Sequence, residues 1–315
     1  LGGLASGNLD SSGGRVALYY SDRSGFEDVS RIEAMGTDLA QNGTVYLIDV
    51  DSENGDLLLH GRVRLEESDE STYSSIVVES TGKLELAGGV DLVVDSLEVK
   101  GGGEVVAEGK NRTGQVEGSW AGEGVSITAD EIAIAEGGSL HGDGRGYTSA
   151  NGPGRSPSNN VGASYGGVGT AAAPYYGSQT QPTDLGSASG AFGSATFGGG
   201  ALRIDVENTL TVNGRLSVNG LVSGVNHSGA TGGSLWITTT NLVGGGAIEA
   251  NAGVGGSASG NGDSSGGRIA LYYSDASGFA DKSRIRAMGT DAAQDGTVYL
   301  LDVDAEDGNL TLFGR

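Results

Sequence analysis

The 315-residue sequence contains no cysteine, only four prolines and only three histidines. Without thiols there is no disulfide scaffold, no thiolate-held zinc or iron–sulfur centre and no thiol redox chemistry. Aromatic residues supply 6% of the chain, so any core has to be built from aliphatic side chains. Basic residues are scarce as well: 18 Lys and Arg stand against 40 Asp and Glu, a formal net charge of −22. Nucleic-acid binding needs clustered cations to neutralise phosphates, and this composition excludes it. No apolar run approaches the roughly 20 residues of a membrane span. No stretch keeps a 3.6-residue apolar spacing for three turns, so helices are not expected.

What the chain has in quantity is glycine, 60 residues, close to three times the usual share of about 7%. These glycines follow no period of three, which excludes collagen. They sit instead inside a duplication. Residues 1–62 recur as residues 254–315, an offset of 253, with 46 of the 62 positions identical and no gap. Such self-similarity marks a repeat architecture. The expected organisation is therefore residues 1–62 as the C-terminal part of one repeat and residues 63–315 as one full repeat. Leu1 follows no initiator methionine and no signal-peptide pattern, so the chain reads as a window on a much longer protein. Neighbouring repeats would be its partners, and lateral association into a homo-oligomeric filament is a further expectation.

A shorter rhythm runs inside the repeat. Glycine punctuation precedes β-rich runs at GGALRIDV, GGSLWITT, GGRIALYY and GTVYLLDV, which start near Ala201, Ser234, Arg268 and Thr297. Leu202, Ile204 and Val206 alternate with polar neighbours, as do Leu235 with Ile237 and Ile269 with Leu271. A period of two is the signature of strands with one buried face. Three short strands per unit, joined by Gly and Asn corners, predict an all-β fold: a right-handed parallel β-helix, or solenoid, with coils stacked at about 4.8 Å. Residues 63–144 and 201–315 carry the coils, roughly eight per repeat, or about 40 Å of rise. Residues 145–200 break the rhythm as a long Gly-, Ser- and Tyr-rich loop, of a length that is usually functional or disordered.

The string GRGYTSANGPG, QPTDLGS, GGGALRIDVENTLTVNGRLSVNG, GGSLWITTTNLVGGGAIEANAG, GGRIALYY and GTVYLLDV resembles the glycine-rich tandem repeats of very large bacterial surface and secreted proteins. That resemblance implies pectate-lyase-like parallel β-helix segments beside adhesin-type modules, an extracellular or cell-surface location, and no catalytic signature. The expected function is structural, a segment of a fibre, stalk or adhesin shaft.

Three chemistries compete with plainer readings of the same residues. For calcium, Asp49, Asp51, Glu53 and Asp56 lie within eight residues, and the copy has Asp302, Asp304, Glu306 and Asp307. Alternating carboxylates suit a hard cation with six to eight oxygen ligands. The plainer reading, which we prefer, is a hairpin turning through Asn54-Gly55 or Asp307-Gly308, dipeptides that accept positive φ. No cofactor is required. For binding, Tyr147, Tyr165, Tyr175 and Tyr176 of the long loop offer contact area to a glycan or a cell-surface target; the plainer reading is a loop folded back over the core. For catalysis, the third reading is a β-helix enzyme acting on acidic polysaccharides, but carboxylate pairs are inevitable among 40, Asp-Asp is absent, and His60 becomes Phe313 in the copy. Non-enzymatic surface charge is the preferred reading.

Overall fold

The computed structural model describes residues 13–22, 24–25, 32, 34, 36, 43–51, 54–69, 71–156, 161–170, 173–190, 195–223, 229–254, 262–305 and 309–313, with backbone alone at 195, 223 and 309–313. The described residues are almost all β. In chain order the strands are β1 (Arg15–Tyr20), β2 (Thr44–Asp49), β3 (Asp56–His60), β4 (Arg62–Leu65), β5 (Thr72–Val78), β6 (Lys83–Leu86) and β7 (Asp91–Val99). There follow β8 (Glu104–Ala107), β9 (Val125–Ile134), β10 (Ser139–His141), β11 (Ala195–Phe197), β12 (Ala201–Val212) and β13 (Arg215–Ser217). The rest are β14 (Leu221–Ser223), β15 (Ser234–Val243), β16 (Ala247–Glu249), β17 (Arg268–Asp275), β18 (Ile285–Arg286), β19 (Thr297–Asp302) and β20 (Asn309–Phe313). A 3-10 turn at Lys282–Arg284, capped by the Asp281 side chain, is the one helical piece among the described residues.

Two large sheets share the strands. One has the order β1-β2-β3-β5-β7-β9-β12-β15-β17-β19-β20 and the other β18-β16-β13-β10-β8-β6-β4. Neighbours in the first sheet are parallel from β3 through to β19. Antiparallel pairing enters only at the hairpins β2–β3 and β19–β20. The second sheet is parallel throughout. Sequence order and spatial order run together, and from β3 to β17 each strand of the first sheet is followed by a short strand of the second. Two-residue hairpins cannot make such connections; each requires a crossover.

The glycine rhythm marks strand starts to the residue: Ala201 pairs with Ser234, Ser234 with Arg268, and Arg268 with Thr297. The expectation of three strands per unit is corrected to two. LRIDV and LTV are one strand, β12, whose register shifts between Val206 and Thr209. The exposed Glu207 and Asn208 lie at that shift. The strand runs on through that irregularity, which carries no glycine. The long loop also contains a short strand, β11, antiparallel to β14.

Between the sheets lies an aliphatic core. Leu92, Ile127, Ile204, Ile237, Leu271 and Leu300 form a ladder across the first sheet, and all are buried. Leu84, Val105, Leu140, Leu216, Ile248 and Ile285 form its counterpart across the second, again buried. Each such side chain stabilises the fold by roughly 1.5–3 kcal/mol on burial. Glycines precede these strands because the segments leading into neighbouring strands approach too closely for a side chain. A Cβ at Gly233 would fall on the Gly200 carbonyl oxygen, one at Gly267 on that of Gly233, and one at Gly296 on that of Gly267.

Candidate functional site

The long loop lies against the outer face of the first sheet, held by backbone and serine. Tyr165 N–H donates to Ser265 Oγ and Ala163 N–H to Ser264 Oγ, both at 2.9 Å. Gly166 N–H reaches Gly266 O and Thr170 N–H reaches Asp263 O, each at 3.0 Å. A Gly- and Ser-rich loop can do this because small side chains let its backbone approach the sheet closely.

The four tyrosines divide. Tyr147 and Tyr165 are buried. Gly122 N–H donates to Tyr147 Oη at 2.9 Å, and the Trp120 ring packs edge-on at 5.3 Å. Tyr165 Oη lies 2.6 Å from Ser234 Oγ, whose hydroxyl donates to Asp184 O at 2.5 Å. Tyr176 is half-buried, its ring 4.5 Å from that of Tyr165 and its hydroxyl donating to Leu185 O at 2.7 Å. Tyr175 points out and is 62% exposed. Two of the rings singled out for binding are thus inside, fastening the loop, and Tyr175 is the one that offers contact area.

The sequence reading missed the residue at the centre of this arrangement. Arg268, 1% exposed, donates from Nε to Tyr176 O at 3.0 Å and from Nη1 to Thr297 Oγ1 at 2.9 Å. Its guanidinium lies 5.5 Å from the Tyr165 ring centre. Burial pushes Arg268 down and Asp184 up, each partly offset by the other's charge. Burial also drives the Tyr165 and Tyr176 hydroxyls well above the ordinary tyrosine range. These directions describe a dry enclosure in which the neutral phenols are kept neutral. A signal existed in GGRIALYY: an arginine opening an otherwise apolar strand needs partners if it is covered.

The first copy shows what the loop does. Arg15 and Ala17, the equivalents of Arg268 and Ala270, are exposed, whereas Ala270 is fully buried. Tyr19 is 63% exposed, whereas Tyr272 is half-buried and donates to Thr180 O at 2.8 Å. Same sequence, different cover: the loop closes the outer face of β17. Tyr273 turns inward to the core, so adjacent tyrosines face opposite ways.

The acidic turns are hairpins. Asp49 pairs with Asp56 across β2–β3. Asp49 Oδ1 accepts from Asp51 N–H at 3.0 Å, Asp56 Oδ1 accepts from Ser75 Oγ at 2.7 Å, and Asp302 Oδ1 accepts from Asp304 N–H at 3.1 Å. Glu53, Glu306 and Asp307 lie outside the described residues. Among the described residues no three acidic or histidine side chains gather as a metal site.

Topology also assembles charges that are scattered in the sequence. On the second sheet, Glu104 accepts from Lys83 Nζ at 2.7 Å and lies 2.7 Å from His141 Nε2, while Glu85 accepts from Arg62 Nη2 at 2.7 Å. Burial pushes Glu104 up, but Lys83 and His141 outweigh it and hold the carboxyl below its usual range. A carboxylate kept ionised in this way is a poor proton donor at neutral pH. The cluster acts as a cross-strand ladder that neutralises its own charges. Set against protein-family models, curated proteins and solved structures, the chain matches none of them.

Proposed function

We propose that the chain is a stretch of right-handed parallel β-helix and serves as a shaft segment in a large extracellular bacterial fibre, stalk or adhesin. One observation carries the reading. The duplicated segments make the same parallel step and the same hairpin in the same register 253 residues apart: Tyr46 pairs with Leu59 and Tyr299 with Leu312, Ile48 with Leu57 and Leu301 with Leu310. A unit that ends as it begins can be added indefinitely, and its strength is the sum of nearest-neighbour contacts. Eight parallel strands per unit give about 40 Å of length at about 4.8 Å each. The resemblance to glycine-rich surface repeats and the strong negative charge, which limits sideways association, support the extracellular setting. No residue is given a catalytic role, and neighbouring units of the same chain are the partners. Electron microscopy of a longer tandem chain tests this: a thin rod that lengthens by about 40 Å per unit supports the shaft, and a compact particle refutes it.

The exposed Tyr175 favours a second reading, in which the loop binds a glycan or a cell-surface protein. Loss of retention on immobilised surface glycans in Tyr175→Ala, with the fold intact, would move that reading ahead.

A further inference from the structure

Directly opposed residues of an antiparallel pair share a face of the sheet. In β2–β3, Tyr46 opposes Leu59 and Ile48 opposes Leu57, while Val45 opposes His60 and Leu47 opposes Leu58. Leu57 and Leu59 belong to the main core, and Tyr46 and Ile48 pack against it. Val45 and Leu47 are buried too, but on the other face and outside that core. Their equivalents in the second copy, Val298 and Leu300, lie inside the main core. The same hairpin residues therefore serve two different cores. One face closes the core that precedes the hairpin, and the other opens the core that follows.

We infer that the hairpin is a seam at which the core crosses from one side of the continuous sheet to the other, and that the Tyr299 and Leu301 face of β19 is the docking surface for a second copy of the unit formed by residues 63–315. The hairpin reverses strand direction. Reversing direction and switching face together amount to a half-turn about the stacking axis, which leaves the hand of the winding unchanged. Reversal without a change of face would invert that hand, against the strong right-handed preference of parallel crossovers. Successive units therefore alternate sides.

The occupant is on view in the first copy, where β3 and the strands after it cover Tyr46 and Ile48. β20 repeats the register of β3, and Leu310 and Leu312 stand where Leu57 and Leu59 stand. The long loop already occupies the neighbouring strip of the same face, over Arg268 and Ala270. A docked unit would meet it as an end wall.

The inference rests on the tandem-array reading for the presence of successive units. Its test is a chain in which residues 63–315 follow Arg315 a second time. Cryo-electron microscopy is expected to show two straight segments on opposite sides of one shared sheet, with a true axial repeat in longer arrays of about 80 Å, twice the unit length. A single straight stack with its core on one side overturns the alternation and leaves the shaft intact. Two units that tumble independently overturn both. Leu301→Asp is expected to cost little in the 315-residue chain. In the tandem chain it should raise hydrogen exchange in the first strands of the second unit at least tenfold, as Ile48→Asp is expected to do for β3 in the 315-residue chain. A harmless Leu301→Asp in the tandem chain, beside a damaging Ile48→Asp, overturns the docking surface.

Discussion

Arg268 and Arg15 are the same residue of the same repeated sequence in two environments, which makes the pair a controlled experiment. Removing Arg268 deletes two hydrogen bonds to a charged group, each worth about 1.5–3 kcal/mol, and a contact with the Tyr165 ring worth roughly 2 kcal/mol when desolvated. Against this stands the cost of keeping a guanidinium dry, several kcal/mol. Asp184 limits the loss, because its carboxyl is already pushed up by burial and takes a proton more readily once Arg268 is gone. The net expectation is about 3 kcal/mol of loop docking for Arg268→Ala, and within about 0.5 kcal/mol of zero for the exposed Arg15→Ala. The expected loss is confined to the loop, so the assay is hydrogen exchange resolved by residue rather than a melting curve. At about 1.4 kcal/mol per tenfold, the amides of Tyr165, Gly166 and Thr170 should exchange roughly 100 times faster in Arg268→Ala, with β7 and β9 unchanged. Unchanged loop amides, or equal effects of the two substitutions, would refute the view that this arginine fastens the loop.

Other expectations use the same duplicate logic. Gly267→Ala places a Cβ on the Gly233 carbonyl oxygen, whereas its equivalent Gly14 has open space; urea titration should show a loss of about 3 kcal/mol for the first and almost none for the second. His60 has a buried Nε2 with no partner among the described residues and becomes Phe in the second copy, so His60→Phe should stabilise the β2–β3 hairpin by about 1 kcal/mol, read by hydrogen exchange at Leu57 and Leu59. Tyr165 and Tyr176 have raised folded values, so their contribution is complete below the unfolded value of about 10 and is lost as pH climbs above it; tyrosinate absorbance should rise together with release of the loop. Asp184 follows the same sign at acid pH, its contribution present below its ordinary 3.8 and lost as pH rises through its higher folded value. Glu104, with a lowered folded value, runs the other way, losing its contribution as pH falls below its ordinary 4.5. Exchange corrected for intrinsic rate should therefore slow in the loop and quicken in β8 on acidification. Calcium in millimolar excess should leave the exchange of Asp51 and Asp304 amides unaltered, since the Asp49 and Asp302 carboxylates already hold them; protection on adding calcium would revive the metal reading.

Local chemistry made much of the fold legible. Strand starts at Ala201, Ser234, Arg268 and Thr297 followed from the glycines before them, because a backbone that packs against the next turn without room for a Cβ admits glycine alone. The inward Leu, Ile and Val followed from a period of two, and the hairpins from Asn54-Gly55 and Asp307-Gly308. The all-β character, the duplication and the acidic, thiol-free chemistry were therefore properties of the sequence by itself. The loop site was not legible. Tyr165 touches Ser234, and Arg268 touches Tyr176, across spans with no local pattern; whether a tyrosine offers its ring or buries it depends on which strand the loop lands on. The Lys83, Glu104 and His141 ladder is scattered in sequence and adjacent only through the in-register pairing of β6, β8 and β10. Only tertiary structure decided which face of each hairpin belongs to which core, for a strand with apolar residues on both faces, such as Val45, Tyr46, Leu47 and Ile48, carries two compatible answers until the neighbouring strands are in place.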